Sequence, residues 1–264
     1  MDHKTYRDNY LDLLRRTLTF QFWTEPPFPI AESSGLTWKS NLARKIARFF
    51  RRFGVEMCLH KSAISPEAYF FPVLAHTMVS DARLRNVQAA CETVDAEGIV
   101  GDAVETGVWR GGASIFMRAC LDPKRKVFVC DSFEGLPKDE REPDYVKIDF
   151  LKVGLPEVKK SFEQFGQTEN VEFVKGWFED TLHLLPAKQF SIIRLDGDMY
   201  SSTMTALNAL YPKLATGGFC IIDDYTLPFC AQAVTEFRDK HQIKDALVKI
   251  DEAAVYWRKT TAGK

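Results

Sequence analysis

The sequence predicts an α/β fold: a doubly wound, seven-stranded, mostly parallel sheet behind an N-terminal helical cover. Three observations carry that expectation. Seven apolar runs, at 100–106, 126–131, 171–175, 190–196, 218–223, 246–250 and 254–258, alternate with helical patterns near 112–121, 155–165, 200–211 and 229–240. Strands joined by helical crossovers read this way in sequence. The last two runs are parted only by Asp251 to Ala253, which predicts a closing hairpin. Residues 1–98 read as mainly helical, so they form the cover, and residues 99–264 form the domain that carries the chemistry.

At 264 residues the chain can bury a full core, either as one large domain or as one domain with a helical cover. A formal net charge of −1 gives no overall field toward nucleic acid, so any such attraction would have to be local. Six cysteines (Cys58, Cys91, Cys120, Cys130, Cys220, Cys230) lie far apart without a C-x-x-C pair, several inside apolar runs. They are expected to be reduced thiols, with neither a zinc site nor a disulfide framework. The opening Met-Asp-His-Lys-Thr-Tyr-Arg lacks the apolar core of a signal peptide, and no stretch approaches the about 18 apolar residues of a membrane span. A soluble, cytoplasmic protein is expected.

Within the cover, Tyr6, Tyr10, Leu13, Leu14 and Thr17 recur at helical spacing and predict an amphipathic helix over 4–20. Pro26, Pro27 and Pro29 end regular structure there. From Ser33 to Val55 there is no acidic residue, but there are six basic ones: Lys39, Arg44, Lys45, Arg48, Arg51 and Arg52. Leu42, Ile46, Phe49, Phe50 and Phe53 interleave with them. This basic helix, 39–53, is expected to pack its phenylalanines on the catalytic domain or a partner subunit and to narrow access to the acceptor side of the site. The competing expectation is a surface that docks on an anionic membrane or an acidic partner. Leu84, Val87, Cys91 and Val94 mark a further helix feeding the central strand. The polar loop from Phe133 to Phe150 is long for a connector and is expected to act as a lid.

The chemistry is read from strand ends. Ile99 to Ser114 reads as a buried strand, a glycine turn and a helix start, with Glu105 closing the strand and Gly107, Gly111 and Gly112 allowing a ligand close to bare backbone. Asp131 follows Gly112 by 19 residues and ends the next apolar run, where an α/β nucleotide site places its ribose acid. The G-x-G-x-x-G pattern is not met. An acid before the turn and another ending the next strand suit S-adenosylmethionine better than a dinucleotide, although the glycines alone could be a structural turn. Further on, Asp196 and Asp198 end one buried run and Asp223 and Asp224 the next. Neighbouring strands lie about 4.8 Å apart, so these carboxylates should converge beside the cofactor, and an all-oxygen donor set fits magnesium better than zinc. The bland alternative is that one aspartate of each pair caps the following helix.

At these residues the chain resembles the macrocin O-methyltransferase (TylF-type) family, over nearly its whole length. The matching stretches are Tyr-Leu-Asp-Leu-Leu near residue 10, Ala-His-Thr-Met at 75–78, Glu-Thr-Gly-Val-Trp-Arg-Gly-Gly at 105–112, Asp-Ser-Phe-Glu-Gly-Leu-Pro at 131–137, Gly-Trp-Phe-Glu-Asp-Thr at 176–181, Leu-Asp-Gly-Asp at 195–198, Ile-Asp-Asp-Tyr at 222–225 and Val-Tyr-Trp-Arg at 255–258. The resemblance implies a Rossmann-like sheet of the class I methyltransferase type. It also implies methylation of a sugar hydroxyl on a glycosylated natural product, with S-adenosylmethionine and magnesium. By the same resemblance Glu105, Gly107 and Asp131, with the flanking Thr106, Arg110, Gly111 and Ser132, hold the cofactor. The Gly176–Trp177 turn then lies by its adenine, Asp196 meets both cofactor and metal, and Asp196, Asp223 and Asp224 bind magnesium. Segments 33–60 and 138–150 depart from the family pattern and are where acceptor specificity is expected.

Magnesium on two vicinal hydroxyls would fix one of them against the methyl group, with Asp196 as the base and Asp198 in reserve. His76 and His183 are weaker base candidates, since a lone histidine near a core segment is more often structural. The rival readings are a nicotinamide-dependent oxidoreductase and a non-catalytic adaptor docking through helix 39–53. The partners expected are a small glycosylated acceptor and further copies of this chain as a homodimer or larger homo-oligomer, with no nucleic acid and with membrane contact not favoured.

Overall fold

The computed structural model describes residues 3–23, 26, 28–32, 38–59, 72–142 and 151–260. Helix α1 (His3–Leu18) buries Leu11, Leu14 and Leu18. Of the expected stripe Leu14 is buried and Thr17 half-buried, but Tyr6, Tyr10 and Leu13 are exposed. The inward face also carries Arg15, whose buried guanidinium pairs with Asp12 and with Asp81, and this charge hides the true apolar stripe in the sequence.

Strand β1 (Phe28–Pro29), helix α2 (Trp38–Arg51) and strand β2 (Cys58–Leu59) follow, with β1 and β2 paired antiparallel. Within this chain the phenylalanine stripe is not packed, so of the two expected covers the catalytic domain is not the one used. Phe49 is 55% and Phe53 69% exposed, Leu42, Ile46 and Phe50 are also open, and the rings lie on one another with centroids 5.2 and 5.7 Å apart. Ala47, small and buried, is where α2 closes on the turn at 30–32, with Arg48 Nε donating to the Ala31 carbonyl at 3.2 Å. Residues 33–37 and 60 of the basic segment lie outside the described residues. So do 143–150 of the expected lid.

Helix α3 (Asp81–Ala96) begins where Ser80 Oγ accepts the Arg83 amide, and it buries Leu84, Val87, Cys91 and Val94 as its spacing predicts. Then come β3 (Asp102–Thr106), α4 (Gly112–Cys120), β4 (Val127–Asp131), α5 (Leu155–Gln164), β5 (Val171–Lys175), the short α6 (Phe178–Thr181), β6 (Phe190–Leu195), α7 (Tyr200–Leu210), β7 (Leu214–Ile222), α8 (Pro228–Lys240), β8 (Val248–Lys249) and β9 (Val255–Arg258). All seven expected strands form one sheet in the order β5-β4-β3-β6-β7-β9-β8, parallel from β5 to β7, with β9 antiparallel to both neighbours. Boundaries differ by more than one residue at three places. Val100 is exposed and precedes its strand, β7 starts at Leu214 rather than 218, and β8 shrinks to two residues.

The strands read as continuous apolar runs because both faces are covered. Ala103 and Ile192 pack with α1, α3 and α4 on one side, whereas Val104, Ile193 and Trp257 pack with α7 and α8 on the other. The chain leaves β3 toward β4 and β5 and returns to β6 on β3's other side. That reversal is the switch point at which doubly wound sheets bind ligands, beyond the carboxyl ends of the strands. Thr106 of β3 is in register with Leu195 of β6, and Leu195 with Ile222 of β7. Gly107, Asp196 and Asp223 therefore follow these register-matched residues at one edge.

Candidate active site

Gly107 occupies the switch point with φ +82°, and a Cβ there would run into the backbone carbonyl of Asp196. Only glycine lets the turn close this tightly against β6. Its amide donates to the Cys130 carbonyl at 2.9 Å, while the Asp196 amide donates to the Thr106 carbonyl at 2.8 Å, so three strand ends are stitched at one level. The turn is locked from β4 by Asp131. Val108 N–H donates to its Oδ2 at 2.8 Å and Phe133 N–H to its Oδ1 at 2.6 Å. Burial raises the Asp131 carboxyl and these amides oppose the shift. The Trp109 amide bonds the same carboxylate, so three amides take up most of its about four acceptor sites and fix its orientation.

Asp131 lines a cleft with Gly107, Ser132, Trp177, Phe178 and Asp196. Gly176, at φ +146°, donates to the Asp131 carbonyl at 3.0 Å and turns the chain so that half-buried Trp177 stands at the rim. Ser132 shapes the same wall, its hydroxyl donating to the Gly135 carbonyl at 2.7 Å. A larger groove of about 760 Å³, lined by Lys4, Arg7, Glu92 and Asp122 among others, opens at the opposite edge of the sheet and shares none of these residues.

Behind the cleft lies an ion network that the sequence reading did not find. Arg194, fully buried in β6, donates through Nη1 to Glu105 Oε1 and, at 2.8 Å, to Asp196 Oδ2, and through Nη2 to Asp223 Oδ1. The Glu105 carboxylate also accepts from the Ser114 hydroxyl. Burial pushes Glu105 up to about 7 against the pull of Arg194, and the three surrounding carboxylates hold the Arg194 guanidinium charged. Glu105 is thus a buried support beneath the turn, with both oxygens engaged, rather than a group facing the cleft. The missed signal was a lone arginine inside an otherwise apolar run, since a buried guanidinium needs carboxylates around it.

Asp196, Asp223 and Asp224 each offer an oxygen, and these oxygens lie within 4.8 Å of one another. Asp223 is neutralised by Arg194 and by Arg83 of α3. Among the described residues no arginine or lysine pairs with Asp224, which is raised well above the ordinary carboxylate value by burial and by Asp198, Asp196 and Asp223. Asp198, in the left-handed region at φ +56°, is raised to about 7 by burial and by Asp196. Four aspartates drawn together against two guanidiniums disfavour full ionisation until positive charge is added, which is the electrostatic setting of a divalent cation site.

Other expected site residues lie elsewhere. Arg110 donates through Nη1 to the carbonyls of Val73 and Ala75, both at 2.9 Å, and stacks over Trp109, so it straps the cover to the turn. Gly111 opens α4 against Val158 and Phe162. Thr106 Oγ1 is buried without a partner among the described residues, and its carbonyl serves the stitching. His76 packs edge-on against Phe165, is pushed down by burial, and accepts the Gly112 amide on its carbonyl at 3.0 Å. His183 is exposed in a short 3-10 turn. Neither histidine lines the cleft. Glu142, also unanticipated, is buried where the Tyr200 amide donates to its Oε2 at 2.8 Å, capping α7 from the expected lid.

Known proteins match this arrangement. The family described as macrocin-O-methyltransferase (TylF) matches residues 7–259. An 8-demethyl-8-(2,3-dimethoxy-alpha-L-rhamnosyl)-tetracenomycin-C 4'-O-methyltransferase of Streptomyces olivaceus is 46% identical over 205 residues, covering 73% of this chain and 78% of that one. A mycinamicin III 3''-O-methyltransferase of Micromonospora griseorubida is 42% identical over 205 residues, covering 72% and 81%. The solved structure of the O-methyltransferase NovP superposes with a TM-score of 0.80 at 34% identity, covering 97% of this chain and 100% of that one.

Proposed function

The chain belongs to the macrocin-O-methyltransferase (TylF) family of S-adenosylmethionine-dependent O-methyltransferases, and on that premise we propose that it methylates one hydroxyl of a vicinal pair on the sugar of a glycosylated natural product, with magnesium at the strand ends. The observation that carries the cation is the convergence of Asp196, Asp223 and Asp224 within 4.8 Å beside the Gly107 turn. The donor set fits: three carboxylates supply oxygen alone, which magnesium accepts and zinc does not prefer. Two relatives named for sugar-bearing substrates and a 4' or 3'' position support the acceptor class. The same relatives count against the nicotinamide reading.

When bound, the cation supplies Lewis-acid polarisation of two neighbouring hydroxyls, and S-adenosylmethionine supplies the electrophilic methyl. The protein's own groups do the rest. Gly107, Asp131, Ser132 and Trp177 line the cleft that holds the cofactor, Gly176 turns the chain beside it, and Asp131 is the acid placed at the strand end for its ribose. Asp196 is oriented through Oδ2 by Arg194 and is the carboxylate that takes the proton of the attacking hydroxyl. Asp223 and Asp224 complete the oxygen set. Orientation is the larger part of the task, because an in-line displacement needs a hydroxyl held against the methyl carbon more than it needs a stabilised anion.

The test is methyl transfer to a panel of rhamnosylated or otherwise glycosylated metabolites before and after exhaustive chelation. Chelation should lower the rate by about a hundredfold or more, with recovery on adding magnesium. The Asp224→Asn variant should resemble chelated wild type. A rate indifferent to chelation removes the cation from the proposal, and methylation of the free aglycone removes the sugar.

A further inference from the structure

Arg83 reaches from the N-terminal helical segment into the carboxylate cluster. It sits in the first turn of α3, where its own amide donates to Ser80 Oγ at 3.2 Å. Its Nη1 donates to Asp223 Oδ2, and its Nε donates to Asp251 Oδ2 at 2.9 Å. The Ser80 hydroxyl donates to that same Asp251 oxygen at 2.6 Å. The other Asp251 oxygen accepts the amides of Ala253 and Ala254, each at 2.9 Å, which fixes it in the turn between β8 and β9. On the far side, Asp223 Oδ1 is taken by Arg194. Both oxygens of this almost fully buried carboxylate are therefore gripped by guanidinium groups from different parts of the chain. The Arg83 side chain is only 17% exposed.

We infer that Arg83 is a positioning residue for the divalent site: it sets the plane of the Asp223 carboxylate, so the segment read from the sequence as a cover completes the catalytic centre. The inference rests on the cation reading above. A guanidinium beside a metal-binding carboxylate acts in two opposed ways, since its charge repels the cation and its fork orients the ligand. The geometry favours orientation. Two different nitrogens of one planar group reach two aspartates, a fork that lysine cannot reproduce. The second aspartate is itself pinned by Ser80 and two backbone amides, an anchoring that a simple counter-charge does not need. Outer partners that orient metal ligands in this way typically account for about ten- to a hundredfold in metal affinity.

The experiment measures Mn²⁺ binding to the whole protein, without cofactor or acceptor, from the electron paramagnetic resonance signal of the free ion. Wild type, Arg83→Met, Arg83→Lys and Asp251→Asn are compared, each checked for fold by circular dichroism and for S-adenosylmethionine affinity. Wild type should bind one Mn²⁺ saturably. Arg83→Met should raise its Kd by about ten- to a hundredfold. Arg83→Lys should recover only a minor part despite keeping the charge, and Asp251→Asn, which touches no proposed ligand, should shift the Kd less but in the same direction. Cofactor affinity should stay level throughout. Tighter Mn²⁺ binding without Arg83 would make it a competing counter-charge, and an unchanged Kd would make it structural; either result overturns the inference. Should Arg83→Met fail to fold, Arg83→Lys and Asp251→Asn decide by the same rule. Absence of Mn²⁺ binding in wild type overturns the cation reading itself, a failure distinct from an unresponsive variant.

Discussion

Charge is concentrated twice in this chain, at the carboxyl edge of the sheet and along residues 39–53, and the two concentrations are handled in opposite ways. At the sheet edge the charges lie inward: Glu105, Asp196 and Asp223 meet Arg194, Arg83 arrives at Asp223 from α3, and Asp198 and Asp224 lie against Asp196 and Asp223. Along α2 Lys45, Arg48 and Arg51 lie outward, and the phenylalanines that would ordinarily be buried beneath them lie outward as well. Burying like charges requires every neighbour to be specified, and the parallel register does this to within one residue. An amphipathic helix requires only some apolar surface to lie on, and its sequence does not say which. The first region is therefore rigidly determined and the second is not, and that difference can be measured.

The largest effect is expected at Arg194. Replacing it by Met leaves Glu105 and Asp223 buried without their shared partner, and breaking a buried ion pair from one side costs about 3–5 kcal/mol. Urea denaturation of Arg194→Met should show a loss of that size, enough to leave the domain marginal. A melting curve superimposable on wild type would mean that the carboxylates are protonated or hydrated, and the contrast with α2 would vanish. Asp131→Ala comes next. It should weaken S-adenosylmethionine binding by about 1.5–3 kcal/mol, the range for a hydrogen bond to a charged group. Titration calorimetry on a folded variant reads this directly. Unaltered affinity would assign the ribose to other groups and leave Asp131 as the lock on Val108 and Phe133 alone.

What was legible in the sequence follows the same division. The seven strands, their strand-end acids and the glycine turn were readable because a doubly wound sheet turns chain position into spatial position. Once Asp196 and Asp223 end neighbouring strands, they must converge. Arg194 was overlooked because one charge in Ser-Ile-Ile-Arg-Leu-Asp interrupts a buried run without breaking it. Its partner Glu105 sits directly opposite in register, a pairing that needs the strand order and not only the strands. Glu142 gave no local signal at all, since the amide it caps lies 58 residues away. Helical periodicity misled in both α1 and α2. In α1 the buried Arg15 concealed the stripe Leu11, Leu14 and Leu18, and in α2 the stripe was real but nothing in it named its cover.

The pH dependence sharpens the contrast further. Glu105 and Asp198 are both raised to about 7 in the fold, from ordinary values of 4.5 and 3.8. A carboxyl with a raised folded value stabilises the fold below its unfolded value, and that contribution is lost as pH rises through the folded one. Stability in the absence of divalent cation should therefore fall from pH 5 to pH 8, by up to about 1.4 kcal/mol per pH unit for each proton released. Millimolar magnesium should flatten the fall, because the cation takes the place of the protons. Urea midpoints at several pH values, with and without magnesium, check both parts. A midpoint that rises across this range would mean the carboxylates are held ionised by their arginines.

The smallest effect is expected from the double variant Phe49→Ser with Phe53→Ser, because the stripe is uncovered within the chain. If the stripe were packed cover, deleting two aromatic side chains from a core would cost several kcal/mol, about 3–5 for each fully buried ring. With Phe49 55% and Phe53 69% exposed, the loss is limited to their contacts with each other and with Phe50. Exposed substitutions of this kind fall within about 0.5 kcal/mol, so the melting temperature should barely move. Measuring it at low and high protein concentration tests one more possibility. If a second copy of the chain covers the stripe, the cost will appear only where the copies associate, since a partner that binds the folded state stabilises it by mass action. A large, concentration-independent loss would show that the phenylalanines are packed within the chain after all, and that α2 is as tightly determined as the sheet edge.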